Sequence, residues 1–271
     1  MSIHRMKTLA AALCLAGTLT GCGAGDAVAE LFADPAVITE DAPFRGSPSE
    51  KFADGAAGIV IPEAGAVAGF SAEDVRSALE ISSRMLQAAY LDRKTLLGGE
   101  PDAYAKVLDP EQRKSFLEDL DHKSLEKNTR AWVVSFAPGT TELVGDVVKV
   151  QAKLSPGAGK DENGDPELRV DYEARFVYAV RPAGKAAPIV RVMAYGKGRH
   201  LFWRDEPKGR LRNWEGDSVD SWNAGTLCNS PDAFLRPDFA GEGGGSGPVD
   251  DAYGGKSAPV KEGECGSVEE I

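Results

Sequence analysis

Basic side chains concentrate on two predicted neighbouring strands of a chain that is otherwise acidic. The group comprises Arg191, Lys197, Arg199, Arg204, Lys208, Arg210 and Arg212. Trp203 and Trp214 are interleaved with these residues, and only Asp205 and Glu206 interrupt them. Guanidinium groups and aromatic rings bind anionic or sugar-bearing ligands through bidentate hydrogen bonds and stacking. The pattern therefore allows an anionic-ligand surface, such as one for a wall polymer, or a solvated sheet face whose charges offset acidic neighbours.

A second set of side chains is of the type that does covalent chemistry. A Cys228 nucleophile with His200 as its base and Arg236 as a charge stabiliser is similar to the Cys, His and Arg set of sortases. The stretch GTLCNS lacks the Thr-Leu-x-Thr pattern that precedes the sortase cysteine. A structural role for Cys228 is therefore favoured, and no catalytic residue is assigned.

The polar run at residues 161–165, DENGD, has oxygen-bearing side chains at alternate positions, as the first half of a calcium loop does. The sixth position is Pro166 instead of glycine, and the twelfth is Tyr172 instead of glutamate. A polar hairpin turn is the favoured interpretation. With three histidines in the whole chain, a zinc site is also disfavoured, so we expect neither a metal nor a cofactor.

The first 22 residues have the layout of a secretory leader. Residues 1–7 are basic through Arg5 and Lys7, and residues 8–20 are apolar and too few to span a bilayer. The run ends in Leu19, Thr20, Gly21 and Cys22, which resembles the bacterial lipobox. This resemblance implies a diacylglyceryl thioether on the Cys22 sulfur and cleavage between Gly21 and Cys22. The alternatives are an ordinary secreted protein with an incidental cysteine, or a cytoplasmic protein with an apolar N-terminus.

The lipoprotein interpretation places the remaining cysteines in an oxidising compartment. Cys14 would leave with the leader and Cys22 would carry lipid, which leaves Cys228 and Cys265 as an even pair. We therefore expect a disulfide between Cys228 and Cys265 that holds the C-terminal tail against the domain.

The charge of the chain limits its partners. The formal net charge is −11, and loss of the two basic leader residues makes it about −13. Such a chain lacks the basic footprint of a nucleic-acid-binding protein and is repelled by an anionic bilayer. We therefore expect no nucleic-acid partner, and attachment to the extracytoplasmic face of the cell membrane through the diacylglyceryl anchor alone.

Composition divides the chain into four parts. Residues 1–21 form the predicted lipoprotein signal peptide, and residues 22–58 are predicted to be a flexible acidic linker rich in Ala, Gly and Pro. Residues 59–240 are long enough for one globular domain with a single core. Residues 241–271 are rich in glycine, and we expect a disordered tail there.

Helices precede strands within the predicted domain. Ser71 and Asp74 form a capping box before a helix over 72–91, Pro101 suits the first turn of a short helix, and Asp109 with Pro110 starts another. Five strands then follow, at 131–137, 141–154, 167–180, 188–203 and 209–222. This order predicts an α+β fold in which N-terminal helices pack on an antiparallel sheet of about five strands.

This element order, together with the stretch LLGGEPDAYAKVLDPEQR, resembles the NTF2-like, or SnoaL-like, cone fold over residues 70–222. The resemblance implies a strongly curved sheet that encloses a cone. Enzymatic members of the family hold an acid–base pair in the cone, and no residue of this chain matches those positions.

Two functions follow as expectations. The first is a non-catalytic module that binds an apolar or amphiphilic small molecule, or an envelope protein. The alternative is an NTF2-like enzyme acting on such a molecule. A buried carboxylate facing Tyr172 or Tyr178 would favour the enzyme, whereas a cone filled by side chains would favour the module.

Overall fold

The computed structural model describes residues 38–67, 69–206, 209–228, 230–241, 249–254, 267–268 and 271. The predicted leader, Gly21 and Cys22 lie outside the described residues, as do Lys208 and Cys265.

Two of the four described helices begin at the predicted caps, the short helix after Pro101 begins one residue later than predicted, and the helix at Arg93 was not predicted. Their bounds are α1 Ala72–Tyr90, α2 Arg93–Leu96, α3 Asp102–Val107 and α4 Pro110–Glu118. Ser71 and Asp74 form the reciprocal capping box at the start of α1. The Asp109 carboxylate accepts a hydrogen bond from the Glu111 N–H and caps α4, which has Pro110 in its first turn.

A six-stranded sheet forms the other layer. Its strands are β1 Ala53–Asp54, β2 Ile59–Val60, β3 Thr141–Lys160, β4 Pro166–Pro182, β5 Val190–Trp203 and β6 Arg212–Ala224. The strand order is β1-β3-β4-β5-β6, and all these neighbours are antiparallel. Strand β2 also pairs with β3, in the parallel sense. A separate parallel pair joins β7 Val249–Asp250 to β8 Ser267–Val268.

The inner face of the sheet packs against α1. The predicted alternation in β4 is confirmed, because every second residue from Leu168 to Val180 belongs to the inner core, whereas Val177 and Ala179 belong to the outer cluster. The inner side chains of β4 share one core with Val75, Leu79 and Leu86 of α1. The α+β class and the packing of helices on a mostly antiparallel sheet are therefore confirmed.

The strand predicted over 131–137 is wrong. Thr129–Trp132 form a 3₁₀ turn that Asn128 caps, and in residues 133–137 only an isolated bridge joins Phe136 to Leu235. Val133, Val134 and Phe136 are buried. This apolar run is explained by burial between the helices and the sheet, which a sequence pattern does not distinguish from a buried strand.

The flexible linker predicted over 22–58 is wrong for residues 38–58. This segment contains β1 and two 3₁₀ turns, and Phe44 is buried on the outer face of the sheet with Val177 and Met193. We call residues 38–60 the N-terminal strap. It is ordered because the outer sheet face is apolar and the strap covers it.

The disordered tail predicted over 241–271 is also wrong where the structure describes it. Ala252 is buried in the same outer cluster, and the Tyr253 ring packs edge-on against Phe52 of the strap. The backbone carbonyl of Ile271 accepts a hydrogen bond of 2.9 Å from Arg191.

Candidate functional site

The basic group found in the sequence is engaged in contacts with protein atoms. Arg210 and Arg212 both contact the Asp109 carboxylate, at 2.6 and 2.8 Å, and so tie the start of β6 to the N-terminus of α4. Arg204 pairs with Asp74. These carboxylates belong to the helix caps, so part of the basic group holds helices to the sheet.

The other described members of the group lie along β5. Arg199 is 3.5 Å from Asp171, Lys197 is exposed, and buried Arg191 donates to the backbone carbonyls of Pro43 and Arg45. The Arg212 guanidinium lies over the Trp203 ring at 5.3 Å. The contacts of these basic side chains with acidic residues favour the interpretation of a sheet face whose charges offset acidic neighbours.

The side chains considered for covalent catalysis are engaged elsewhere. Cys228 is disulfide-bonded, and its partner cysteine lies outside the described residues. A disulfide sulfur is not a free thiolate nucleophile. Arg236 pairs with Asp232 at 2.7 Å. The specific pairing of Cys228 with Cys265 stays a prediction, which non-reducing peptide mapping can check.

The polar run at 161–165 closes the β3–β4 hairpin. One oxygen of the Asp161 carboxylate accepts from the N–H groups of Asn163 and Asp165, at 2.9 and 2.8 Å. The carboxylate therefore stabilises its own turn. In the part of the chain that the structure describes, no group of three His, Cys, Asp or Glu side chains is arranged to hold a metal.

A polar cluster that sequence reasoning did not find lies between the helices and the sheet. We call it the Glu215 cluster, and its members are Tyr104 of α3, Gln112 of α4, Tyr172 of β4, His200 of β5 and Glu215 of β6. His200 and Glu215 are direct partners across the β5–β6 pair. Tyr104, Gln112 and His200 are each at most 1% exposed.

The Glu215 carboxylate is the centre of this cluster. Its Oε2 accepts a hydrogen bond of 2.6 Å from the Tyr104 hydroxyl, and the His200 Nε2 is 3.4 Å away. Its Oε1 accepts a longer bond of 3.5 Å from the Tyr172 hydroxyl. The Glu215 side chain is 17% exposed, so it is largely removed from water.

Gln112 fixes the backbone of Glu215. Its side-chain amide accepts from the Glu215 N–H at 2.8 Å and donates to the Glu215 carbonyl at 3.2 Å. The register between β5 and β6 shifts on both sides of Gly198, next to Glu215. Such bulges redirect side chains, and bonds to both backbone groups hold the redirected residue in place.

Tyr90 completes the aromatic surroundings. Its ring stacks on Phe176 with centroids 4.4 Å apart, and a Cβ at Gly196 would come within 2.8 Å of its hydroxyl. Glycine at 196 therefore leaves the space that Tyr90 occupies. Burial, and secondarily the negative charge of Glu215, raises the pKa of Tyr90, Tyr104 and Tyr172 above that of an ordinary phenol.

The carboxylate foreseen opposite Tyr172 or Tyr178 was not identified from the sequence. Tyr172 does face Glu215, but Tyr178 donates to the backbone carbonyl of Tyr90 at 2.9 Å. The available signal was an acidic residue on the inward alternation of the last strand. That signal was hidden because the bulges interrupt the alternation of β6.

An open groove of about 460 Å³ lies elsewhere, at the β3–β4 hairpin. Its lining residues are Gly69, Ala158, Gly159, Lys160 and Pro166. None of them belongs to the Glu215 cluster.

Comparison of the chain with protein-family models, with curated proteins and with solved structures gave no match. Among the helices that the structure describes, none has the length and apolar character needed to cross a bilayer.

Proposed function

We propose that this chain is a lipid-anchored protein on the extracytoplasmic face of a bacterial cell membrane, with a non-catalytic binding module as its folded domain. The leader and the Leu19–Cys22 motif support the location. The succession of helices and a bulged antiparallel sheet is compatible with an NTF2-like cone, which we propose as the finer fold.

The observation that carries the binding function is the Glu215 cluster. A partly buried carboxylate lies with a few polar groups beside the apolar core of the inner face, and Gln112 holds its backbone. Binding sites combine such apolar surroundings with a few fixed polar groups. Tyr104 already occupies Oε2 of the carboxylate, which favours recognition over proton abstraction.

The tether keeps the domain close to the membrane. Fifteen residues, 23–37, separate the proposed anchor at Cys22 from the first described residue. A fully extended chain of that length reaches about 55 Å. The module therefore acts on molecules in the membrane or next to it.

Anchoring is tested with Cys22→Ser in a bacterial host. We expect the variant to lose palmitate labelling and to leave the membrane fraction, because no other thiol lies at the predicted cleavage point. Cys14→Ser is the matched control inside the leader, and it should be labelled and retained. Retention of the Cys22→Ser protein would contradict the proposed anchor.

Binding is tested by native mass spectrometry of the full chain after gentle purification from its own envelope. We expect a defined additional mass that is lost on denaturation. The bare mass, both before and after addition of envelope extract, would contradict a small-molecule module.

A second candidate function is an NTF2-like enzyme that moves a proton on a small apolar or amphiphilic molecule. The carboxylate facing Tyr172 favours it. Incubation of the purified chain with its captured ligand in D₂O distinguishes the two functions. A base at Glu215 would leave deuterium on a ligand carbon, and Glu215→Gln would stop this, whereas a binding module returns the ligand unlabelled.

A further inference from the structure

The Glu215 carboxylate differs from other shielded carboxylates of this protein in its counter-charge. The side chains of Asp109, Glu167 and Asp74 are 1%, 10% and 15% exposed, and each contacts an arginine. Glu215, at 17%, pairs with no lysine or arginine among the described residues. A carboxylate removed from water is costly unless a positive charge or several strong donors compensate it.

The groups around Glu215 are neutral hydrogen-bond donors or an imidazole. The Tyr104 and Tyr172 hydroxyls each donate to the carboxylate, and the raised pKa of both phenols keeps them protonated. Among the residues that the structure describes, His200 is the basic side chain in contact with Glu215, and its Nε2 lies 3.4 Å from the carboxylate. The negative charge is thus stabilised mainly by hydroxyl groups, which leaves it free to attract a cation.

Aromatic side chains lie close to the same carboxylate. The rings of Tyr172 and His200 lie 4.9 Å apart, Tyr104 donates directly to Glu215, and the Tyr90 hydroxyl lies beside Gly196 near Tyr172. Aromatic faces attract organic cations, and they do so more strongly when water is excluded. A carboxylate with such rings is complementary to a positively charged nitrogen that carries apolar substituents.

His200 supplies a second, independent observation. Its side chain is 1% exposed, and its Nδ1 has no hydrogen-bond partner among the described residues. A buried polar atom without a partner costs about 1–3 kcal/mol. The cluster is therefore incomplete in its hydrogen bonding as well as in its charge.

We infer that the Glu215 cluster is a binding site for an organic ammonium ion, with the carboxylate as the counter-charge and the neighbouring rings as the contact for its apolar part. This inference rests on the proposed binding function and names its ligand class. The excess negative charge of the chain raises the local concentration of such cations. The inference also specifies that, of the amphiphilic ligands expected from the sequence, the cationic ones are bound.

The test is isothermal titration calorimetry, in which the purified full chain is titrated with benzylammonium, benzyl alcohol or benzoate. These probes share one ring and differ in charge. We expect benzylammonium to bind and the other two probes to bind at least tenfold more weakly. Added salt should lower the affinity for benzylammonium. Equal affinity for the alcohol, or no binding of benzylammonium, would overturn the inference.

Glu215→Gln removes the charge and keeps the shape. We expect it to weaken benzylammonium binding on the order of tenfold, equivalent to about 1.4 kcal/mol. Glu118→Gln, on the exposed side of α4, is the matched control and should bind as the parent does. Unchanged binding by Glu215→Gln would place the ammonium elsewhere and overturn the inference.

The outcomes for the ligand class and for the binding function are separable. A neutral or anionic native ligand, seen by mass spectrometry while benzylammonium fails to bind, overturns the ammonium site and leaves the binding module standing. Absence of any native ligand together with failure of all three probes contradicts both.

Discussion

Asp109 and Glu215 show two ways in which this chain keeps a carboxylate out of water. Asp109 is fully buried and receives two arginines, whereas Glu215 receives two tyrosines and an imidazole. Fixed positive charge makes the first arrangement a structural contact. No such fixed positive charge lies among the described neighbours of Glu215. We therefore expect stability and function to conflict at Glu215.

The ion pairs of Asp109 predict a pH-dependent stability. Burial acts to raise the pKa of Asp109, but the hydrogen bonds from Arg212 and the Glu111 N–H, with the arginine charges, hold the pKa below that of an ordinary aspartate. A lowered folded-state pKa contributes stability that is present above about pH 4 and is lost as the pH falls further. Asp109→Asn keeps the helix cap and removes the charge.

We expect Asp109→Asn to lower the free energy of unfolding at pH 7 by about 1–3 kcal/mol, because it removes the buried charge that Arg210 and Arg212 share, while Arg212 keeps its contacts with Glu111 and Asp205. The difference from the parent should shrink at pH 3, because the unfolded chain already takes up a proton at Asp109 at a pH where the folded protein, with its lowered pKa, still resists protonation. Urea unfolding at the two pH values measures this. Asp119→Asn, beyond the other end of α4, should change stability by less than about 0.5 kcal/mol. An equal loss at both pH values would contradict the ion-pair explanation.

Removing the charge of Glu215 should change the free energy of unfolding in the opposite direction. Glu215→Gln keeps a carbonyl acceptor for Tyr104 and removes a charge that has no fixed counter-charge, so we expect a gain of about 1 kcal/mol, or about 2–4 °C in Tm. Tyr104→Phe removes the 2.6 Å donor and should cost about 1–3 kcal/mol. Thermal unfolding of both variants checks this pair. Destabilisation by Glu215→Gln as large as that of Asp109→Asn would show that a cation does pair with Glu215.

At the scale of elements, helix α4 and strand β6 form one unit that sets the geometry of the cluster. The N-terminus of α4 holds the start of β6 through Asp109 and Arg212, and Gln112 holds Glu215 through two backbone hydrogen bonds. The buried Gln112 amide thus acts as a short substitute for a further strand at the bulged position.

Gln112→Leu tests this unit. The substitution leaves the Glu215 N–H and carbonyl without their partner, and we expect a cost of about 1–3 kcal/mol for each group that stays dry. Hydrogen exchange at the Glu215 amide should become faster than at the neighbouring amides of β5. Gln87→Leu is the control, since Gln87 bonds only to Ser83 of its own helix among the described residues. Unchanged exchange at Glu215 would mean that the bulge does not depend on α4.

Elements with local signals were predictable from the sequence. Ser71 with Asp74 and Asp109 with Pro110 mark helix starts by contacts within a few residues, and β4 shows its buried face by simple alternation. The contact of Gln112 with Glu215 joins residues 103 positions apart, so no local pattern reports it. The strand prediction for the apolar run at 131–137 was wrong because an apolar segment can be buried without pairing with a neighbouring strand.

At the scale of the whole molecule, the outer face of the sheet explains why composition misplaced the domain boundaries. Val177 and Met193 on that face are fully buried, under Phe44 of the strap and Ala252 of the C-terminal segment. Segments rich in Gly, Ala and Pro look like spacers, yet a few apolar side chains suffice to dock them on an apolar sheet. The described fold therefore begins near residue 38 instead of 59.

Arg191 contacts both the N-terminal strap and the C-terminal segment. We therefore expect its replacement to loosen the strap. Its guanidinium donates to the carbonyls of Pro43, Arg45 and Ile271, at 2.9, 2.6 and 2.9 Å. Arg191→Met leaves these acceptors without that donor, while its apolar side chain still fills part of the site. We expect the strap to open locally while the sheet stays folded, because most of the core lies on the inner face.

Limited trypsin digestion followed by mass spectrometry measures this opening. Cleavage after Arg45 and Lys51, both in the strap, should become several-fold faster in Arg191→Met, with sites inside β4 still protected. Arg199→Met is the matched control on the same strand, and its strap should be cut at the parent rate because Arg199 pairs with Asp171. Equal protection of the strap in both variants would show that the buried Phe44, and not Arg191, holds the strap to the sheet.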